Sequence, residues 1–224
     1  ENPQIMEEVE QKVREHYGLT AGATQEKIDP VRFITNHSTG KMGRAIAENC
    51  MLRGAHVTLV NASVSVEPPM FVDVVNVTSA ADMADVVKSK AAEQDIIIMT
   101  AAVADFCPSH PADEKIKKND SSYESVIELE RTEDILSYLG AHKAKGQLIC
   151  GFSMETQNML ENSKAKLAKK NADMIVANNL KVAGAGFGTD TNVVTLITAD
   201  DCTELEIMDK SCVAARIMDR LLQM

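Results

Sequence analysis

Short β-branched runs alternate with segments of helical apolar spacing along most of this 224-residue chain, and this alternation constrains the fold more than any other feature. Residues 56–60 and 95–100 are apolar runs of strand length, and 79–93 between them carries apolar residues at helical spacing. Strands that alternate with helices are joined by crossover connections and form parallel sheets. We therefore predict an α/β, Rossmann-like, doubly wound fold with a mostly parallel sheet.

Further segments extend the same alternation. Leu19-Thr20-Ala21-Gly22 has the composition of a buried strand end that enters a turn, and Ser79 with Asp82 predicts a capping box. Segments 192–198 and 204–208 flank Asp200-Asp201 and predict a C-terminal antiparallel hairpin. The other predicted elements are helices over 42–52, 132–142, 158–170 and 209 or 210 to 222, and strands over 71–77, 124–130, 147–152 and 173–178.

The first residues predict a connector ahead of the domain. Ile5, Met6, Val9 and Val13 lie at helical spacing, so we expect an amphipathic helix over 3–16 that ends near Gly18. The chain before Leu19 lacks the apolar run of a full strand, so either the first strand is unusually short or residues are missing here. We assign 1–18 to a connector helix and 19–224 to one domain.

Composition and charge limit the class of protein. The chain is 45% hydrophobic, contains no run near the roughly 20 apolar residues of a membrane span, and has five scattered cysteines without a Cys-x-x-Cys pair. Its formal net charge of −10 argues against a nucleic-acid partner. We expect a soluble cytoplasmic protein with no membrane or nucleic-acid partner.

Positive charge is nevertheless concentrated locally. One cluster is Lys115-Ile116-Lys117-Lys118, and a second contains Lys164, Lys166, Lys169 and Lys170. Lys166 and Lys170 are four residues apart and share one face of the predicted 158–170 helix. Such a pair is usually only a solvated face, but two cationic groups in an acidic protein favour a small anionic ligand such as a polyphosphate.

A glycine-bearing turn precedes the predicted 42–52 helix. Amide groups of Ser38-Thr39-Gly40-Lys41-Met42-Gly43 can bind phosphate at a helix start, with Lys41 adding charge, or the glycines can simply permit tight packing. The turn is not a Walker P-loop, because Thr35 stands where its first glycine would be. Asn36 is either an ordinary turn residue or an amide that stabilises an acyl oxygen gaining negative charge.

A hydride-transfer enzyme on the same fold is the alternative function. An NAD(P)-dependent reductase would usually place an acid after the strand that ends at Val60, yet Asn61-Ala62-Ser63 follows. Tyr17, Tyr123 and Tyr138 all lack a lysine four residues later, so the Tyr-x-x-x-Lys pair is missing. The five histidines show no metal-ligand spacing, and we expect no directly bound metal.

Several ordered motifs resemble bacterial phosphopantothenoylcysteine synthetases, the ligase half of a bifunctional coenzyme A biosynthesis protein. The resemblance spans about residues 19–222. Its motifs are residues 20–26 (TAGATQE), 29–43 (DPVRFITNHSTGKMG), 101–106 (AAVADF), 114–118 (EKIKK), 151–156 (GFSMET) and 170–173 (KNAD). Family members usually carry Gly or Pro at the position of Ala23 and Pro at the position of Glu133. This chain departs from the family at both positions, and the departures affect local loop geometry.

The resemblance implies a two-step ligase reaction. CTP and phosphopantothenate would form an acyl-cytidylate and pyrophosphate with magnesium or manganese present, and L-cysteine would then displace CMP. Asn36 and Lys115 would be the catalytic residues. The implied nucleotide contacts are Asp105, Lys115, Glu133, Asp134, Ile135, Leu136, Phe152, Lys166 and Lys170; the substrate contacts are Asn36, Ala101, Ala102 and Lys118; candidate phosphate contacts are Ser38, Thr39, Gly40 and Lys41.

The resemblance also implies an assembly. We expect a homodimer in which an arm around residues 105–130 closes the neighbouring site, with the 108–120 loop mobile in the empty enzyme. The lead-in helix resembles the connector from an FMN-dependent decarboxylase domain. FMN would therefore belong to the full protein only if that domain is attached.

Overall fold

The computed structural model describes residues 15–117, 126–154, 158–179, 186 and 188–224. The strands are β1 (His16–Ala21), β2 (Gln25–Lys27), β3 (Phe33–Thr35), β4 (His56–Asn61), β5 (Asp73–Asn76), β6 (Ile96–Met99), β7 (Phe106–Pro108), β8 (Leu129–Arg131), β9 (Leu148–Met154), β10 (Met174–Asn178), β11 (Thr191–Asn192), β12 (Val194–Ile197), β13 (Cys202–Glu204) and β14 (Met208–Asp209). The α-helices are α1 (Lys41–Leu52), α2 (Ala80–Lys90), α3 (Ile135–Ala141), α4 (Met159–Lys170) and α5 (Lys210–Leu221).

One eight-stranded sheet organises the molecule. Its order is β13-β12-β10-β9-β6-β1-β4-β5, and the six strands from β10 to β5 are all parallel. Strands β12 and β13 extend this sheet as an antiparallel hairpin. The chain leaves β1 first toward β4 and β5 and then returns to the other side through β6, which is the doubly wound arrangement predicted from the sequence.

The core lies on both faces of the sheet. Ile96 and Ile98 pack into one apolar cluster and Ile97 and Met99 into the other, because successive side chains of a strand point to opposite faces. Helices α1 and α5 cover the first face, and α2, α3 and α4 cover the second. A strand buried on both faces has no polar alternation, which explains the continuous run at 96–99.

Side-chain caps fix where two of the helices begin. Ser79 accepts from the Asp82 N–H, and the Asp82 carboxylate accepts from the Ser79 N–H, which confirms the predicted capping box. Asp134 accepts from the Ser137 N–H at 2.9 Å and starts α3 at Ile135. The predicted 132–142 helix is therefore shorter at its start, since an N-cap residue itself has extended backbone.

The predicted end of the connector helix is wrong. His16, Tyr17 and Gly18 belong to β1, so the helix does not extend to residue 16. The division into a connector over 1–18 and a domain over 19–224 stays a prediction. The strand is favoured because it pairs on both sides, with Leu19 between Leu59 and Ile98, and because Tyr17 is buried. The rest of the predicted connector, residues 1–14, lies outside the described residues and stays a prediction.

The C-terminal hairpin is confirmed, but its second strand is displaced. Cys202–Glu204 pairs with β12, whereas the predicted strand began at Glu204. Leu205 and Met208 supplied the apolar signal because they pack against the core just after the strand. In the portions of the chain that the structure covers, no helix combines the length and apolarity required to traverse a bilayer.

Candidate functional site

A cleft of about 1010 Å³ opens at the carboxyl ends of the parallel strands. It lies where β1 and β6 are neighbours, the point at which the chain reverses its direction across the sheet. Loops that leave two such strands diverge to opposite faces and leave a crevice between them. Ligands of doubly wound proteins bind in this position, so the cleft is the candidate site.

The glycine turn forms one wall of this cleft. Gly40 caps α1 with φ of 78°, and Gly43 lies so close to the sheet that a Cβ there would approach Ala21 Cβ at 2.6 Å and Thr100 Oγ1 at 2.7 Å. The first turn of α1 is thereby held against the ends of β1 and β6. Its amide groups lack intrahelical acceptors and lie at the positive end of the helix, a suitable place for phosphate.

Asn36 connects this wall to the loop after β6. Its Nδ2 donates to the carbonyl oxygen of Ala102 at 3.2 Å, and Ala102 N–H donates to the carbonyl of Gly22 at 2.8 Å. Two threonines strengthen the junction, since Thr20 Oγ1 accepts from Ala101 N–H and Thr24 Oγ1 accepts from Ala104 N–H. Because an amide carries two donor hydrogens, Asn36 can hold Ala102 and still donate to a ligand.

A second wall is built by α3, α4 and the end of β9. Lys166 donates to the carbonyl of Phe152 at 2.8 Å, and Lys170 donates to Ser137 Oγ at 2.9 Å while forming an ion pair with Asp134. Burial acts to raise the pKa of Asp134, but the hydrogen bonds from Lys170 and Ser137 outweigh it and hold that pKa below its usual value. Asp134 is thus ionised at neutral pH and fixes Lys170 at the cleft.

Most of the residues predicted for the site line this one cleft. They are Asn36, Ser38, Thr39, Gly40, Lys41, Ala101, Ala102, Asp105, Glu133, Asp134, Ile135, Leu136, Phe152, Lys166 and Lys170. Asp105 and Glu133 are exposed, and Glu133 also forms a 2.6 Å ion pair with Lys88 of α2. Segments separated by up to about 130 positions in the sequence therefore meet at the cleft.

Lys115 is not among the residues that line the cleft. It is exposed, and the next residue, Ile116, is fixed through its backbone to Asp29 and Arg32. The Arg32 guanidinium holds the pKa of the Asp29 carboxyl well below its usual range, so this anchor persists at neutral pH. The roles predicted for Lys115 stay a prediction, and Lys118 lies outside the described residues.

Lys210 lines the cleft although nothing in the sequence analysis selected it. It is the first residue of α5, and only 7% of it is exposed. A single lysine at a helix start resembles an ordinary surface residue. Its burial depends on tertiary contacts with a distant turn, so no local sequence signal could have found it.

Comparison with known proteins places this architecture in a family. The family model for the C-terminal domain of DNA/pantothenate metabolism flavoproteins matches residues 13–224. The chain belongs to this family. The coenzyme A biosynthesis bifunctional protein CoaBC of Bacillus subtilis is 48% identical over 208 residues, which cover 92% of this chain and 50% of that protein. The chain spans about half the length of the curated relatives it matches.

Solved structures agree with the assignment to the flavoprotein C-terminal domain family. A crystal structure of the C-terminal domain of a CoaBC protein has a TM-score of 0.78 and 43% identity, and the match covers 92% of this chain and 93% of that one. A Cab2 mutant in complex with phosphopantothenate-cysteine has a TM-score of 0.75 at 16% identity, covering 98% and 94% of the two chains. At that identity the second comparison supports the fold alone.

Two features of this family member bear on the reductase alternative. The chain takes 19 residues, Gly22 to Gly40, to pass from β1 to α1, and β2 and β3 pair as a hairpin within this span. A dinucleotide fingerprint instead turns directly from the first strand into the helix. Strand β4 ends at Asn61, an amide in place of the usual ribose-binding acid. The geometry therefore argues against the reductase alternative.

Proposed function

We propose that this chain joins phosphopantothenate to L-cysteine in coenzyme A biosynthesis, using CTP to activate the carboxylate. The observation that carries the proposal is that Asn36, the glycine turn before α1 and the wall with Lys166 and Lys170 all line one cleft. The kinship with CoaBC proteins supports a role in coenzyme A biosynthesis, and a protein of the same fold has been solved in complex with phosphopantothenate-cysteine. These substrates are proposals because the relatives are about twice as long.

In the first step, a carboxylate oxygen of phosphopantothenate attacks the α-phosphorus of CTP. The bond to the β-phosphate breaks, pyrophosphate leaves with the bonding electrons, and an acyl-cytidylate remains. The cytidine would lie against the α3–α4 wall with Phe152 and Asp134, and the phosphates would lie toward Lys41 and the α1 turn. Positive charge and helix-start amides favour this step because they stabilise the departing anion.

In the second step, the amine of cysteine attacks the acyl carbon, the acyl C–O bond breaks, and CMP leaves with the bridging oxygen that came from the carboxylate. The amine releases a proton to water, and the amide is complete. During attack the acyl oxygen gains negative charge, and the Nδ2 group of Asn36 would donate to it. Ala101 and Ala102 would hold the acyl chain beside Asn36, and Asp105 would contact the nucleotide at the rim of the cleft.

Divalent cations would enter with the nucleotide. Within the described segments, no three His, Cys, Asp or Glu side chains are grouped to hold a metal ion. A triphosphate supplies its own oxygen ligands, and Mg²⁺ is commonly held by one or two carboxylates plus substrate phosphates. We therefore expect the ion to be held by the phosphates of the nucleotide and by water rather than directly by the protein, and Mn²⁺ would serve similarly.

The proposal extends to assembly and location. We propose a cytoplasmic homodimer in which the segment from residue 105 to 130 of one copy, with Lys115 and Lys118, completes the site of the other. Phe33, Phe106, Ile116 and Leu129 are exposed on or beside the short β2–β3 and β7–β8 ladders, which supports an interface there. A decarboxylase domain, with FMN, would be attached or associated.

A direct assay distinguishes the two proposed steps of the reaction. Purified protein with CTP and Mg²⁺ is expected to release pyrophosphate only after phosphopantothenate is added, and to form the amide only after cysteine is added. Replacing CTP by ATP tests the nucleotide choice in the same assay. If pyrophosphate never appears, the ligase proposal is wrong.

A further inference from the structure

Lys210 is a buried lysine that holds a turn at the edge of the cleft. Its Nζ donates to the carbonyl oxygens of Gly186 at 3.0 Å and Thr189 at 2.5 Å, and its backbone N–H donates to the carbonyl of Asp190 at 2.9 Å. An ammonium group taken out of water is costly unless polar groups surround it. The three contacts therefore join the start of α5 firmly to Gly186, Thr189 and Asp190.

Lys41 holds the same turn from the opposite side. Its Nζ donates to the carbonyl of Gly188 at 3.0 Å and forms a 2.7 Å ion pair with Asp190 Oδ1. Lys41 is the first residue of α1 and belongs to the glycine turn at the cleft. Residues 188–190 thus lie between two lysines that come from the N-termini of two different helices.

The two lysines contact Asp190 differently. Lys41 forms an ion pair with the Asp190 carboxylate, whereas Lys210 contacts Asp190 through its own backbone N–H. Burial, followed by repulsion from Lys41, lowers the pKa of Lys210, and the hydrogen bond from Lys41 lowers the pKa of Asp190. The Lys41 side chain is 28% exposed, so Lys41 is the more accessible lysine for an anion in the cleft.

We propose that Lys210 is a positioning residue that holds Lys41 in place for the phosphate groups of the bound nucleotide, acting through Gly188, Thr189 and Asp190. The identity of the anion rests on the proposed ligase function. The positioning role itself rests on the contacts of the two lysines with one turn. It predicts that Lys210 affects anion binding only while Lys41 is present.

A double-mutant cycle tests this dependence, with inorganic pyrophosphate as the calorimetric probe and the KM for CTP as the kinetic one. Lys41→Met and Lys210→Met are each expected to weaken pyrophosphate binding about tenfold, the effect of losing a charged hydrogen bond. The double variant is expected to bind like Lys41→Met alone. Independent losses that multiply to about a hundredfold would overturn the proposal, as would unchanged binding in Lys210→Met.

A second variant avoids the risk that a change at buried Lys210 disturbs folding. The Asp190 side chain is 86% exposed, so Asp190→Ala removes the side-chain link to Lys41 without opening the core. Simple electrostatics predicts tighter pyrophosphate binding, because a negative charge disappears. Positioning predicts severalfold weaker binding, and tighter binding in this variant would contradict it.

Lys145→Met is the matched control. Lys145 is exposed and precedes β9, at the amino ends of the strands and therefore on the side of the sheet away from the cleft. Its loss is expected to change pyrophosphate binding less than twofold. Wild-type protein that fails to bind pyrophosphate would overturn the positioning proposal directly. If wild type and the variants bind pyrophosphate as predicted, but wild type never forms pyrophosphate from CTP, only the ligase proposal fails.

Discussion

At the scale of single residues, the site depends on close contacts between two loops. Asn36 reaches the carbonyl of Ala102 at 3.2 Å, and through Ala102 it is joined to Gly22 at the end of β1. A side chain fixed in this way loses little further conformational freedom when it binds a ligand. Asn36 is therefore a preorganised hydrogen-bond donor. The fixed position of Asn36 is therefore part of its proposed role.

Asn36→Asp is predicted to slow the cysteine-dependent step more than pyrophosphate release. A carboxylate would repel the developing oxyanion, and losing one such donor typically costs about 100-fold to 1000-fold in rate. Rapid-quench measurement of each step would separate the effects. Asn49→Asp is the control, because Asn49 lies on α1 outside the lining of the cleft and its side chain accepts from Arg53 at the C-cap of that helix. Unchanged turnover in Asn36→Asp would remove Asn36 from the mechanism.

Gly40→Ala is predicted to destabilise the fold more than Gly54→Ala. Both glycines have positive φ, which costs an alanine about 1 to 2 kcal/mol. A Cβ at Gly40 would also collide with Val64, whereas a Cβ at Gly54 meets nothing within 4 Å. Urea denaturation should show an extra loss of about 1 to 3 kcal/mol for Gly40→Ala. Equal losses would mean that the turn relaxes away from Val64.

At the scale of elements, the start of α2 is unusually well defined. The capping box of Ser79 and Asp82 is supplemented by Glu26, whose Oε1 accepts from the Ala80 N–H at 2.9 Å. Ser79→Ala is predicted to lower the free energy of unfolding by about 1 kcal/mol. Ser89→Ala, near the other end of the same helix, is the control and should cost less than 0.5 kcal/mol. Equal effects would show that the cap contributes little.

The same cap predicts a pH dependence. Hydrogen bonds from the Ser79 backbone, followed by the Ser79 hydroxyl, lower the pKa of Asp82. Because the pKa is lower in the folded protein, ionised Asp82 stabilises the fold above the usual carboxylate pKa, and this contribution is lost as the pH falls through the folded pKa. The stability gap between wild type and Asp82→Asn should shrink below about pH 4. A gap that stays constant from pH 7 to pH 3 would contradict this account.

Elements with strong periodicity could be predicted from the sequence, and those fixed by pairing could not. The apolar runs at 56–60 and 95–100 identified β4 and β6, and the 158–170 pattern identified α4. The ladders β2–β3 and β7–β8 have only three residues per strand, most of them exposed. No pattern predicted β2, β3 or β7, and the strand predicted over 124–130 overlaps β8 only at 129–130, since 126–128 form no strand. Their positions follow from tertiary contacts of the surrounding loops.

At the scale of the whole molecule, the cleft brings together groups from both faces of the sheet. Lys41 and Lys210 come from the face covered by α1 and α5, while Lys166 and Lys170 come from the face covered by α3 and α4. The motif order allowed most of these residues to be predicted. Lys210 and the anchoring of the Lys115 segment by Asp29 were not predictable, because both depend on contacts between segments far apart in sequence.

Isotope transfer tests the central claim, the acyl-cytidylate, most directly. Phosphopantothenate labelled with ¹⁸O at both carboxylate oxygens would be turned over with CTP, Mg²⁺ and cysteine, and CMP would be analysed by mass spectrometry. Activation through an acyl-cytidylate predicts one ¹⁸O in each CMP, because the attacking carboxylate oxygen leaves with the nucleotide. Unlabelled CMP, or label in released inorganic phosphate, would contradict it.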